Sequence, residues 1–206
     1  MKRLAIISLI ICAFNTNVSA QNIFVNPFPK VTFGVEWSYL GTAPYKTHFN
    51  FFSDDGYRRN INERHTRYFN NAEVLLHVGY NFNSHWNLSF YSGLTGMADI
   101  HNAVPLSLRA TYAFGNDPLK DRWFTFLDLG TGFSIKKEPQ EIYTGKFGGG
   151  YRISLSRNTK LDFIAAFRLA YTHPDIVFDD SYIALEWINS NEALLGSLCL
   201  GMALTF

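Results

Sequence analysis

A two-residue alternation of apolar and polar side chains recurs through almost the whole chain, and it restricts the fold more than any other feature. In "VTFGVEWSYL", Val31, Phe33, Val35, Trp37 and Tyr39 fall on one face, against Thr32, Gly34, Glu36 and Ser38 on the other. Period two is the signature of a strand with two unlike faces. It returns from Val74 to Phe82, Trp86 to Asp99, Leu106 to Phe114, Trp123 to Ser134, Phe147 to Leu155, Leu161 to Tyr171 and Glu192 to Phe206. Phe124 and Phe126 break the pattern within one of these segments.

The links between segments also alternate. Asn83–His85, Gly115–Asp121 and Ser156–Lys160 are short and rich in Asn, Asp, Gly and Pro, as tight turns require. Between them lie Gly41–Thr66, Ile100–Val104, Lys136–Ile142 and Thr172–Asn191, of which the first and last are long. The pattern predicts an all-β, up-and-down antiparallel meander of about eight strands, or ten if Tyr182–Ile188 adds a hairpin. Both termini fall on the short-turn side.

The amino terminus is set apart. Lys2 and Arg3 precede an apolar run, Leu4–Phe14, and "VSA" ends at Ala20 with the small residues that a signal peptidase reads. The expected division is a signal peptide, 1–20, and a barrel domain, 21–206. Cys12 follows Ile11 rather than the small residue a lipoprotein site wants, so that processing ranks second. Cleavage leaves 186 of the 206 residues and, by removing two cations, shifts the formal charge from +1 to −1. Neither charge favours a nucleic-acid partner. Cys199 alone remains, which excludes an intrachain disulfide.

Aromatic residues make up 17% of the chain, yet mean hydropathy is near zero and no long apolar run follows residue 20. That composition excludes a bundle of membrane-spanning helices. Two closed sheets remain: a soluble barrel that is apolar inside, and a transmembrane barrel that is apolar outside. The polar face combines many small residues, including Gly34, Gly79, Gly130 and Gly148, with isolated charges of both signs. Such a face suits the confined interior of a narrow barrel. Tyr80, Phe82, Trp86, Tyr112, Phe114, Trp123 and Phe206 lie near the short-turn ends; Trp37, Tyr39, Tyr68, Phe133, Tyr143 and Tyr171 lie near the opposite ends. Two aromatic girdles mark the two interfaces of a membrane.

Together with the signal peptide, the eight segments and the ending "MALTF", this pattern resembles the small outer-membrane β-barrels of Gram-negative bacteria, the broad OmpA/OmpX-type class. The resemblance implies an outer-membrane location and contact with its lipid and lipopolysaccharide. It also implies an assembly signal for the barrel-assembly machinery at Leu200, Met202, Leu204 and Phe206. A monomer is expected, without cofactor or metal.

The expected inward charges are Glu36, Glu73, Arg109, Asp128, Lys146, Arg152, Asp162 and Arg168, with His77 among them. Four acids balance four bases, and buried charges need partners, so these residues are expected to form an ion-pair network filling the lumen. A structural or surface-binding role through the outer loops follows. The alternatives are a lipid-modifying enzyme of the lipid A deacylase or acyltransferase type, and a porin-like conduit for small apolar molecules.

No catalytic residue is assigned. "THPDI" around His173 lacks the Ser that a His-x-Ser-Asn motif needs, although His173, Ser181 and Asp179 or Asp180 can be drawn as a triad. The acidic cluster of Asp175, Asp179, Asp180 and Glu186 lacks the spacing of a calcium loop. In "KFGGGYR" the glycines sit within a strand rather than opening a helix, as phosphate loops do. The aromatics of Tyr45–Arg59 and Ile176–Ile188 are expected to pack on one another beyond the membrane, or to form a contact surface.

Overall fold

The computed structural model describes residues 29–53, 55–66, 68–98, 100–136, 139–179 and 181–206; the expected signal peptide lies outside them. In chain order the strands are β1 (Val31–Phe52), β2 (Arg58–His65), β3 (Phe69–Asn81), β4 (Trp86–Met97), β5 (His101–Ala113) and β6 (Arg122–Ile135). They continue with β7 (Glu141–Ser154), β8 (Lys160–Thr172), β9 (Val177–Phe178), β10 (Ser181–Tyr182) and β11 (Ile188–Thr205). A single turn of 3-10 helix, Leu185–Trp187, precedes β11.

Eight of these strands close a barrel in the order β1, β3, β4, β5, β6, β7, β8, β11, each antiparallel to its neighbours, and β11 returns to β1. The seam runs from Gly34 opposite Thr205 upward. It continues through Phe206, whose backbone exchanges hydrogen bonds of 2.8 and 3.0 Å with Phe33. The rings of Phe33 and Phe206 stack with centroids 5.6 Å apart. Closure leaves the barrel no unpaired edge, a condition that hydrocarbon imposes on any sheet crossing it.

The predicted alternation sorts side chains to the two faces of the wall. Phe33, Trp123 and Leu198 are 60%, 65% and 67% exposed on the outside, while Glu36 and Arg168 are 1% exposed inside. The two phenylalanines that broke the pattern are lumen residues: Phe124 and Phe126 are buried beside Leu40 and Ile164. The interior is therefore part apolar. It is also crowded: a Cβ at Gly148 would lie 2.5 Å from that of Ala166 on the adjacent strand.

The short turns owe their shape to polar side chains. Asn83 accepts hydrogen bonds from the backbone of His85 and Trp86 at 2.8 and 2.9 Å, and Ser156 does the same for Asn158 and Thr159. At the other end, the first of the two links expected as long loops is largely paired and the second only briefly. β1 and β2 continue as a hairpin, Tyr45 opposite His65 up to Phe52 opposite Arg58, leaving only 53–57 as the turn. β2 lies against the upper half of β1 and β3 against the lower half, so β2 extends the sheet above the closed wall, pairing with β1 alone among the described strands. The ladder needs only backbone groups, so it continues where the apolar alternation that betrays a membrane strand has stopped. The ten-stranded alternative is not realised: Tyr182–Ile188 holds the 3-10 turn instead of a hairpin, and the short pair β9–β10 lies upstream, ending at Tyr182, outside the barrel wall.

Candidate functional site

The lumen charges are positioned by register. Arg109, Asp128, Lys146 and Arg168 are successive partners across β5, β6, β7 and β8, forming one row on the inner wall. Glu36 and Glu73 stand on the facing strands β1 and β3. The Arg109 guanidinium donates to Asp128 Oδ2 from Nε at 3.0 Å, to Glu36 Oε1 from Nη2 at 3.1 Å, and to the Tyr91 hydroxyl from Nη1 at 3.2 Å. Its planar head lies between the rings of Tyr91 and Phe126, 4.0 and 4.4 Å from their centroids. Lys146 Nζ bonds to Glu73 and lies 3.7 Å from Glu36 Oε1.

β3 and β7 are four strands apart in either direction around the barrel. The Lys146–Glu73 pair thus spans the lumen, and Arg109–Glu36 crosses nearly as far. All five charged groups are at most 5% exposed. With Arg168 beside Lys146 in the same row, three cations face three carboxylates. Arg168 itself touches the Gly96 carbonyl and Met97 Sδ, at 3.5 and 3.4 Å, and forms no ion pair among the described residues.

Nearer the short-turn end, Arg152 grips Asp162 with both Nε and Nη2, at 2.7 and 2.6 Å. His77 stands between the two groups in no ion pair: its Nε2 lies 3.3 Å from Thr205 Oγ1 and its ring stacks on Tyr91 at 4.8 Å. The structure thus brings seven of the nine expected residues into two clusters and leaves His77 and Arg168 apart from them. Sequence reasoning missed Tyr91 and Phe126, the stacking partners of Arg109. Tyr91 shares the parity of Ser89 and Gly93, which was the available signal. It also missed Arg122, at the start of β6, and Lys160, at the end of a short turn, which line a 50 Å³ cavity with His77 and Arg152.

Above the barrel the hairpins pack on themselves. Phe51, Ile176 and Ile183 form a small buried core with Phe49, Ile61, Phe178 and Ile188 against it. Phe51 and Phe178 meet edge-on at 5.5 Å. The drawn triad does not assemble among the described residues: the His173 ring packs against Tyr171, and no hydrogen bond joins it to Ser181 or Asp179. Asp180 lies outside the described residues. Asp175 pairs with Lys136 at 2.9 Å, and no group of three metal-ligating side chains converges among the described residues.

A closed eight-stranded meander with an apolar exterior, aromatic ends and a charged, packed lumen defines the class: a small transmembrane β-barrel. No family model and no curated protein matches the sequence. Among solved structures, the chain is similar to the outer membrane protein OprG from Pseudomonas aeruginosa, at 9% identity and a TM-score of 0.49 over 87% of this chain and 97% of that one. It is also similar to Neisserial surface protein A, at 15% identity and TM-score 0.44, and to the N-terminal β-barrel domain of Pseudomonas aeruginosa OprF, at 16% and 0.38. Each of these two alignments covers 84% of this chain and 97% of the other.

Proposed function

We propose that this chain is a passive outer-membrane barrel, exported by a cleaved signal peptide, with its short turns in the periplasm and its paired hairpins outside. Its lumen is closed by charge-paired side chains, and its work is structural or surface-binding, done by the outer hairpins and the lipid-facing wall. The lumen-spanning pairs of Lys146 with Glu73 and Arg109 with Glu36 carry this reading. They join opposite walls at mid-barrel, and the rings stacked on Arg109 fill the remaining width. Eight strands leave an interior only wide enough for side chains.

The outward belt and the two girdles support the membrane placement. Trp86–Tyr112, Tyr112–Phe114 and Trp123–Tyr151 meet edge-on at 5.0, 5.2 and 5.0 Å near the short-turn end. Tyr143 and Tyr171 pair at the other end. The test is conductance of the purified protein in planar bilayers. A closed trace is expected, and steady unitary steps would show a conduit in place of a plug.

A further inference from the structure

One row of outward side chains crosses the upper wall in register: Arg64 on β2, Lys46 on β1, Leu194 on β11, Tyr171 on β8 and Tyr143 on β7. At its far end, on β8 and β7, the row carries two tyrosines of the outer girdle. Its first two members are cations set directly opposite each other on an antiparallel pair, an arrangement that repels. Both are exposed, and among the described residues neither forms an ion pair. The acids on neighbouring strands do not relieve them. Glu192, opposite His48 one row higher, is hydrogen-bonded by Tyr171. Glu63 precedes Arg64 and points, by strand alternation, to the other face.

The two cations line a groove of about 320 Å³ in the wall together with Tyr45, Phe167, Leu169, Leu194 and Gly196. Gly196 contributes no side chain between Leu194 and Leu198, and β1 shifts register beside it, between Thr42 and Tyr45. An unpaired double positive charge at an interface, continuous with an apolar slot running into the bilayer, is complementary to one kind of molecule: a phosphate joined to acyl chains.

Given the outer-membrane placement above, on which this rests, we infer that Lys46 and Arg64 bind the phosphate of an outer-leaflet lipid of the lipid A type, with an acyl chain lying in the groove. Arg64 offers a planar fork to phosphate oxygens and Lys46 a point charge beside it. The anion removes the repulsion between the two cations, and the slot orients the lipid along the wall.

The full-length barrel, inserted into phosphatidylcholine nanodiscs containing bisphosphorylated lipid A and released for native mass spectrometry, should retain lipid A. Lys46→Gln with Arg64→Gln should lower retention about tenfold or more, as loss of charge-assisted bonds predicts, while Lys46→Arg should keep it. Dephosphorylated lipid A should be retained as poorly by the wild type as lipid A is by the double variant. Three results would overturn the inference: equal retention by the double variant, equal retention of phosphatidylglycerol, or displacement of lipid A by inorganic phosphate alone. Heat-modifiable gel mobility separates the two levels of the argument. A barrel that inserts and retains no lipid A defeats this site only; one that never inserts defeats the membrane placement as well.

Discussion

Replacing Arg109 with Met tests the central claim about the lumen. The substitution keeps an unbranched stem but removes the cation that contacts Glu36 and Asp128, leaving the three carboxylates of the central cluster with Lys146 and the uncoupled Arg168. The orphaned groups are 1–2% exposed. Breaking a buried pair by deleting one partner costs about 3–5 kcal/mol. Stacking between Tyr91 and Phe126 adds roughly 1–2 kcal/mol for a desolvated cation. The loss should therefore be about 4 kcal/mol or more. The double variant Arg109→Met, Asp128→Asn leaves two carboxylates with two cations and should recover most of it, because well-packed neutral groups replace a buried pair at little cost.

Equilibrium urea unfolding in lipid vesicles, followed by tryptophan emission, measures both. Trp37, Trp86 and Trp123 face outward and leave the lipid on unfolding. A single variant within about 1 kcal/mol of wild type would mean that the network is solvated and not a plug, since exposed pairs contribute that little. A double variant no better than the single would mean that shape rather than charge is lost.

Two further outcomes follow from the placement of the chain. Phe206→Ala removes the ring stacked on Phe33 at the seam and the last residue of the expected assembly signal; the fraction of protein in heat-modifiable form in outer-membrane preparations should fall several-fold, and normal assembly would remove the signal from this end. Asp55→Cys, in the exposed turn of the outer hairpin, should be labelled in intact cells by a membrane-impermeant maleimide, while native Cys199, 2% exposed in the lumen, stays unmodified. Protection of the introduced thiol would invert the orientation.

Much of the barrel was legible from period two alone. A strand that separates lipid from a charged interior must alternate, and the segments from Val31 to Phe206 do so residue by residue. Less legible were the parts where alternation carries no such meaning. The hairpin of β1 and β2 has polar and apolar residues on both faces, so its pairing, fixed by backbone hydrogen bonds, leaves little trace in composition. Phe124 and Phe126 break the alternation because they fill part of the lumen with apolar side chains. Packing a narrow interior requires volume as well as charge balance.

Local parity and counting along the chain settle the face of most strand residues and the equality of inward acids and bases, while both eight and ten strands fit the pattern. Eight strands rather than ten, and the identity of each charge's partner, come from closure of the sheet in three dimensions. Arg109 with Glu36 are 73 residues apart, as are Lys146 and Glu73. Their contact follows from closing the sheet, which brings β3 opposite β7 and sets the stagger that aligns one row of charges against another. The meeting of Lys46 and Arg64 along a groove has the same origin, since register, and not residue type, brought two cations side by side at the rim of the wall.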